Sequence, residues 1–246
     1  MVASIKVLAP MAGITDAKFC LKMIPAGFDM VTLGGYNIDK ETIDAGEKIL
    51  LRGRPEFEIS EEDYFEVINN QARKIKEKWD GLVSVNLRSI TPDPVIEISK
   101  IKEIDVVEIN AHCRQKEIID IGCGQALLQK PEFLEEFVSD VVKKSQSKVS
   151  VKIRANSEGV DDLKIAKSIE SGGANFIHVD AMKPGVNYAD FNIISQISNE
   201  VNIFLIGNNS IVNIESARKM LNMGANGISI ARAAMNGLDG FDLSKI

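Results

Sequence analysis

Apolar, β-branched-rich runs recur eight times along the chain, at residues 5–9, 29–34, 82–87, 105–110, 148–153, 175–180, 202–206 and 227–231, and each but the last is followed by a helical pattern. Strands that alternate with helices must pair in parallel, because each return to the same end of a sheet needs a crossover. Eight such units in 246 residues imply a single-domain (β/α)8 barrel spanning residues 1–246, an α/β fold of the TIM type, with an open doubly wound sheet as the alternative. No linker interrupts the pattern. Two helices are expected after the second strand, near 38–51 and 61–78. The second opens with Ser60 as N-cap and Glu61, Glu62 and Asp63 at its positive end. A later helix near 213–223 is read from its ends, Asn213 at the start and Gly224 at the stop.

Strands buried on both faces should be almost wholly apolar, yet four of these carry polar side chains at alternate positions near their C-terminal ends. They are Ser84 and Asn86, then Glu108 and Asn110, then Ser150, Lys152 and Arg154, then His178 and Asp180. Their neighbours Val83, Val85, Val107, Ile109, Val151, Ile153, Ile177 and Val179 are apolar. With a side-chain period of two, the apolar set faces the helices and the polar set points into the barrel mouth, where barrel enzymes place their chemistry. Lys152 and Asn110 are read as ligand groups and Glu108 as structural. The competing reading is a buried network in which Lys152 neutralises Glu108.

The loops after strands 7 and 8 contain Gly207, Asn208 and Asn209, then Ala231 and Arg232. These two loops are the usual phosphate site of such barrels, where backbone N–H groups meet the anion, and an arginine fork suits phosphate. Gly207 is expected to permit close backbone approach. The net charge is −6, which argues against a global polyanion-binding surface but leaves room for a local patch. Arg52, Arg54 and Arg88 are candidates for one; Arg52 and Arg54 read better as a solvated, ion-paired surface. Three cysteines without paired spacing suggest reduced thiols, and with two histidines they give no metal-ligand pattern. No membrane segment or signal peptide is visible, so a cytoplasmic location is the expectation.

Cys113 lies just past the end of the fourth strand, followed by Gly122 and Gly124, and is the first candidate for chemistry. Residues 106–128 resemble the active-site segment of the tRNA-dihydrouridine synthases, which reads Ile-Asn-x-Gly-Cys-Pro and then Gly-x-Gly-x-Ala-Leu-Leu. Asn110, Cys113, Gly122, Gly124 and Ala126 to Leu128 keep register, while His112 and Arg114 replace the Gly and Pro. Ala9-Pro10-Met11-Ala12-Gly13-Ile14-Thr15-Asp16 looks like the Ala-Pro-Met-Ala-Gly-Val-Thr-Asp signature of the same family. With Val151 to Arg154, Ile206 to Asn209 and Ile230 to Ala233, the resemblance spans roughly residues 7 to 236.

The resemblance implies FMN as cofactor and NAD(P)H as reductant. It places Ala9, Pro10 and Met11 against the isoalloxazine, puts Asn86 where the family has glutamine, and matches Lys152 to a lysine near the flavin. The family's strand-6 histidine falls on Asp180, for which a contact to ribityl hydroxyls is the expectation. Cys113 matches the catalytic cysteine, a proton donor to C5 of a uracil-type ring; Arg114 next to it favours the thiolate. Asn110 and Arg154 are assigned to the substrate side. Dihydrouridine synthases carry a helical C-terminal domain that helps hold tRNA, and the chain stops at Ile246, about where the last barrel helix should finish. A uridine in RNA or a small pyrimidine, as in the related dihydroorotate dehydrogenases, is therefore the expected partner, with tRNA binding doubtful. Two readings from other classes remain: a flavin-free phosphate-binding lyase or isomerase using Lys152, and a non-catalytic flavin-binding relative.

Overall fold

The computed structural model describes residues 4–238 and 241–246. Eight parallel strands close into a barrel in sequence order: β1 (Ile5–Leu8), β2 (Met30–Asn37), β3 (Leu82–Arg88), β4 (Val106–Ala111), β5 (Lys148–Arg154), β6 (Phe176–Asp180), β7 (Phe204–Asn208) and β8 (Gly227–Ile230). Around it lie α1 (Ala17–Met23), α2 (Lys40–Leu51), α3 (Tyr64–Lys76), α4 (Pro92–Ile98), α5 (Lys116–Asp120), α6 (Pro131–Lys144), α7 (Asp162–Ser171), α8 (Phe191–Glu200), α9 (Ile214–Asn222) and the short α10 (Arg232–Met235). Closure pairs β1 with β8, Leu8 opposite Ile230, so no strand edge is left open. No helix among the described residues is long and apolar enough to cross a membrane.

Strand parity sorts the strands' apolar side chains into two bodies, beside a third small cluster of Ala45, Ile49, Cys113, Ile118 and Cys123 under the loop after β4. Val83, Val85, Val107, Ile109, Val151, Ile153, Ile177 and Val179 pack outward with the helices. Val7, Met30, Val106, Phe176 and Ile206 form a separate cluster that floors the barrel interior. Above that floor the same inward positions turn polar, beginning with Ser84, Glu108, Ser150 and His178, all at most 1% exposed.

Three local readings need correction. Helix α3 starts at Tyr64 with Asp63 as its N-cap residue, because the Ser60 hydroxyl donates to Asp63 Oδ2 at 2.6 Å and residues 61–63 form a turn. Strand β2 runs three residues past the expected end, through an irregularity between Gly34 and Tyr36 that lets the chain pass close under β3. A Cβ on Gly35 would lie 2.7 Å from Asn86 Oδ1 and would push that amide out of its hydrogen bonds to Glu108 and Asn110. And β8, after which no helical pattern is visible in the sequence, leads into the four-residue α10. Helix α9 follows expectation: Asn213 caps it in a reciprocal box with Ser216, and Gly224 ends it with φ +98°.

Candidate functional site

The inward polar side chains form one directional chain of hydrogen bonds across the barrel. Asn208 Nδ2 donates to Ser229 Oγ (2.8 Å), Ser229 Oγ lies 2.7 Å from His178 Nε2, and His178 Nδ1 lies 2.9 Å from Glu108 Oε2. From the other side Asn110 Nδ2 donates to Asn86 Oδ1 and Asn86 Nδ2 to Glu108 Oε1, at 2.8 and 2.9 Å. Ser150 Oγ completes the set on Glu108 Oε2 at 3.0 Å. Burial pushes the Glu108 carboxyl up, but His178, Lys152 and Asn86 together hold it at about 2. Glu108 is thus a buried anion held by hydrogen bonds from His178, Asn86 and Ser150, in keeping with the structural role expected for it.

Cys113 sits on a loop folded by Asn110. The Asn110 Oδ1 accepts from the backbone N–H of both His112 (3.0 Å) and Cys113 (2.9 Å), a side-chain turn that aims the residues after β4. With its Nδ2 on Asn86, the carboxamide shapes the site, and Asn110 still lines the cavity beside Cys113. Further on, Gln125 N donates to Cys113 O at 2.9 Å, and the chain doubles back so tightly that a Cβ on Gly124 would lie 2.5 Å from that oxygen. Cys113, 8% exposed, lines a cavity of about 280 Å³ at the C-terminal mouth together with Asn86, Asn110, Lys152 and Arg154. Cys123 is fully buried nearby, its thiol pushed up to about 12 by burial, which leaves it inert.

A second cavity of about 1270 Å³ opens beside the first, over β6, β7 and β8, and the two share Pro10, Met11, His112, Lys152 and Arg154 in their walls. Asn209 and Ser210 take positive φ, +98° and +52°, which turns the β7 loop sharply at the cavity edge. The backbone N–H groups of Asn209, Ser210, Ile211, Ala231, Arg232 and Ala233 have no backbone or side-chain acceptor among the described residues. Donors in that state call for an anion or water. Arg232 is exposed at the same wall, without an ion pair among the described residues. Asn208, Asn209 and Ala231 also line this cavity.

Two expected cofactor contacts are displaced. Gly207 points outward by strand parity, and a Cβ there would lie 2.5 Å from Met220 Cγ of α9, so its role is close helix-to-strand packing rather than approach to a phosphate. Ala9 is fully buried beneath Pro10 and Met11 and lines neither cavity. Asp180 is engaged on every side: Arg154 Nη1 (2.9 Å) and His112 Nε2 (2.7 Å) meet its Oδ2, and Asn209 Nδ2 (2.6 Å) its Oδ1. Burial raises the carboxyl, but these partners outweigh burial and hold it well below the usual carboxylate range. His112 is held low, at about 4, by burial and by Lys152 against the pull of Asp180, so the ring is neutral at pH 7 and donates its Nε2–H to the carboxylate. Lys152 Nζ has no hydrogen-bond or ion-pair partner among the described residues, and burial lowers its pKa.

Six cationic side chains line the two cavities, Arg54, Arg88, Arg114, Lys152, Arg154 and Arg232, against two anionic ones, Glu56 and Asp180. The mouth is therefore cationic on a chain of net charge −6. Arg52 behaves as expected, paired at the surface with Glu117 at 2.7 Å. Arg54, expected to be the same, instead stands on the rim of both cavities. Sequence reading missed Glu56, His112 as a site residue, and the buried side of Arg88. His112 and Arg88 each lie one pleat beyond an identified inward residue, Asn110 and Asn86, so the same period carried two residues further finds both. Glu56 lies in the irregular segment after α2, and no periodicity marks it.

The family model described as Dihydrouridine synthase (Dus) matches residues 59–237. An uncharacterized protein of Methanocaldococcus jannaschii is 39% identical over 238 residues, covering 94% of this chain and 89% of the relative. The tRNA-dihydrouridine synthase B of Pectobacterium carotovorum is 25% identical over 237 residues, which make up 93% of this chain; the match covers 67% of that enzyme. The chain thus spans about two thirds of the length of that enzyme. Among solved structures, FabK from Thermotoga maritima superposes with a TM-score of 0.61 at 13% identity, over 94% of this chain and 59% of that one. The N-acetylmannosamine-6-phosphate 2-epimerase from Clostridium perfringens gives 0.59 at 13% identity, over 94% and 87%. At such identities these two speak for the barrel alone. The family match covers well over half of the chain, from the turn before α3 to the segment after α10, and on that ground the chain belongs to the dihydrouridine synthase family.

Proposed function

We propose that the protein is an FMN-dependent reductase of a uracil-type ring, carried by uridine in RNA or by a small pyrimidine, with NAD(P)H as reductant. The observation that carries this reading is the joined pair of cavities: unpaired backbone N–H groups and Arg232 in the wall of one, the Cys113 thiol in the wall of the other, and Met11, His112 and Lys152 between them. The donor set fits FMN. Ser210, Ile211 and Arg232 would hold its phosphate, Pro10 and Met11 would wall the ring, and Lys152 would donate to the ring edge. When bound, FMN supplies the hydride for the C5–C6 double bond.

The rest of the task falls to the chain. Cys113 gives a proton to C5, on a loop that Asn110 and Gly124 hold in place. Lys152 keeps a cation beside the reacting ring, and the cationic mouth attracts a phosphate-bearing ligand. Asp180 acts on this site indirectly, by orienting Arg154 and His112.

Reconstitution with FMN followed by its absorption spectrum tests the cofactor. Cys113→Ala should leave FMN binding and flavin reduction near those of the parent protein, while slowing pyrimidine reduction by roughly 10²- to 10⁴-fold, the usual contribution of a positioned acid. A folded barrel that does not take up FMN at micromolar concentration would sink the proposal, and unchanged turnover in Cys113→Ala would remove the acid assignment.

A further inference from the structure

Arg88 ends β3 with its side chain in the wall of the Cys113 cavity, and it is 4% exposed. Its guanidinium carries five N–H donors. Nη1 is spoken for, by Glu56 Oε2 at 2.7 Å and Asn37 Oδ1 at 3.1 Å. Nε is buried with no partner, and Nη2 makes no hydrogen bond among the described residues. Burying donors without acceptors is costly, and a cavity-lining side chain in that state is one whose partner arrives with the ligand.

The kind of partner follows from charge. Glu56, at 2.7 Å and with its side chain 3% exposed, already balances the arginine, so the missing group is a neutral acceptor rather than a second anion. Position narrows it further. Cys113, in the same small cavity, is the group read above as donor to ring carbon C5, and the substituent next to C5 is the one on C4. In uracil that substituent is a carbonyl oxygen; in cytosine it is an amino group, which would set N–H against N–H.

We infer that Arg88 is a specificity-determining residue that donates a hydrogen bond to the C4 carbonyl of the pyrimidine, with Glu56 fixing its fork, so that the cavity accepts uracil rings and rejects cytosine rings. This rests on the reading of Cys113 as the donor to C5. Asn37 and Glu56 serve the same end by holding Nη1.

The test is equilibrium binding of uridine 5′-monophosphate and cytidine 5′-monophosphate to the FMN-loaded protein, its Arg88→Lys variant and its Arg88→Met/Glu56→Gln double variant. Arg88→Lys keeps a charge for Glu56 but loses the fork, and the double variant leaves no unpaired buried charge. The parent protein should prefer the uridine nucleotide. Both variants should bind it roughly 10- to 100-fold more weakly, the loss expected for one hydrogen bond from a charged donor, with the cytidine nucleotide little changed. FMN affinity, read in parallel, should stay within about twofold, since Arg88 does not line the larger cavity. Equal affinity of the parent protein for the two nucleotides overturns the inference without any variant, as does a uridine preference that survives in either variant. Failure of the parent protein to take up FMN points instead to the functional reading itself.

Discussion

Asn110 and Gly124 show how much of the Cys113 geometry is set by residues that do no chemistry. One turns the chain out of β4 by accepting two backbone N–H groups, and the other lets the chain fold back against the Cys113 carbonyl. The glycine pair on this loop separates two physical demands. Gly122 and Gly124 both have positive φ, +83° and +61°, but a Cβ on Gly122 meets nothing within 4 Å, whereas one on Gly124 would lie 2.5 Å from Cys113 O and 3.1 Å from Cys113 Cβ. Gly122→Ala should therefore cost only the strain of a left-handed side-chain residue, about 1 kcal/mol. Gly124→Ala should cost about 3 kcal/mol and shift the thiol as well. Urea midpoints of the two variants check the ordering; equal midpoints would show that the loop relaxes around the added methyl.

At the scale of elements, β7 presents opposite faces to different tasks. Asn208 looks into the mouth, while Gly207, one residue earlier, meets Met220 on α9. Gly207→Ala should lower stability by roughly 1–3 kcal/mol through overpacking of that helix and leave FMN affinity nearly unchanged. Arg232→Ala should do the reverse, weakening FMN binding by about 1.5–3 kcal/mol with little effect on folding. A Gly207→Ala protein that folds normally but loses FMN would restore the phosphate role first expected for that glycine.

The same alternation explains what was legible beforehand. A period of two over apolar runs located all eight strands and sent Asn86 and Lys152 to one pocket, because parity survives small errors in strand ends; Cys113 joins them from the loop past β4. It failed where a strand outran its apolar stretch. With β3 read as ending at 87, Arg88 lost the inward parity it shares with Ser84 and Asn86, and β2 beyond Gly34 went unseen because glycine carries no hydropathy signal. Glu56 and the Asn209–Ser210 turn depend on tertiary packing, which no local pattern encodes.

Across the whole molecule, the barrel keeps a few buried charged groups in a polar band roofed by the cationic mouth, and that arrangement sets how it responds to acid. Glu108 is held at about 2 against an ordinary 4.5 by His178, Lys152 and Asn86. A depressed carboxyl stabilises the fold fully above pH 4.5 and loses that contribution as pH falls toward 2. His112 is held at about 4 against an ordinary 6.5, chiefly by burial, and His178 is lowered for the same reason. A histidine kept neutral in the fold is protonated more readily in the unfolded chain, so the folded state loses ground as pH drops from 6.5 to 4. All three effects have one sign. Stability from urea denaturation should hold between pH 8 and 7, then fall by about 3 kcal/mol by pH 4 through His112, with His178 adding to the loss in the same direction. The histidines act first, ahead of the carboxylate. His112→Gln should accordingly flatten part of the decline between pH 6.5 and 4 and leave the loss below pH 4.5, where Glu108 takes up its proton in the unfolded chain while the folded one stays ionised down to about 2. A stability profile that stays level from pH 7 to 4 would mean that water enters the mouth freely enough to solvate a charged His112, and the neutral ring donating to Asp180 would then have to be given up.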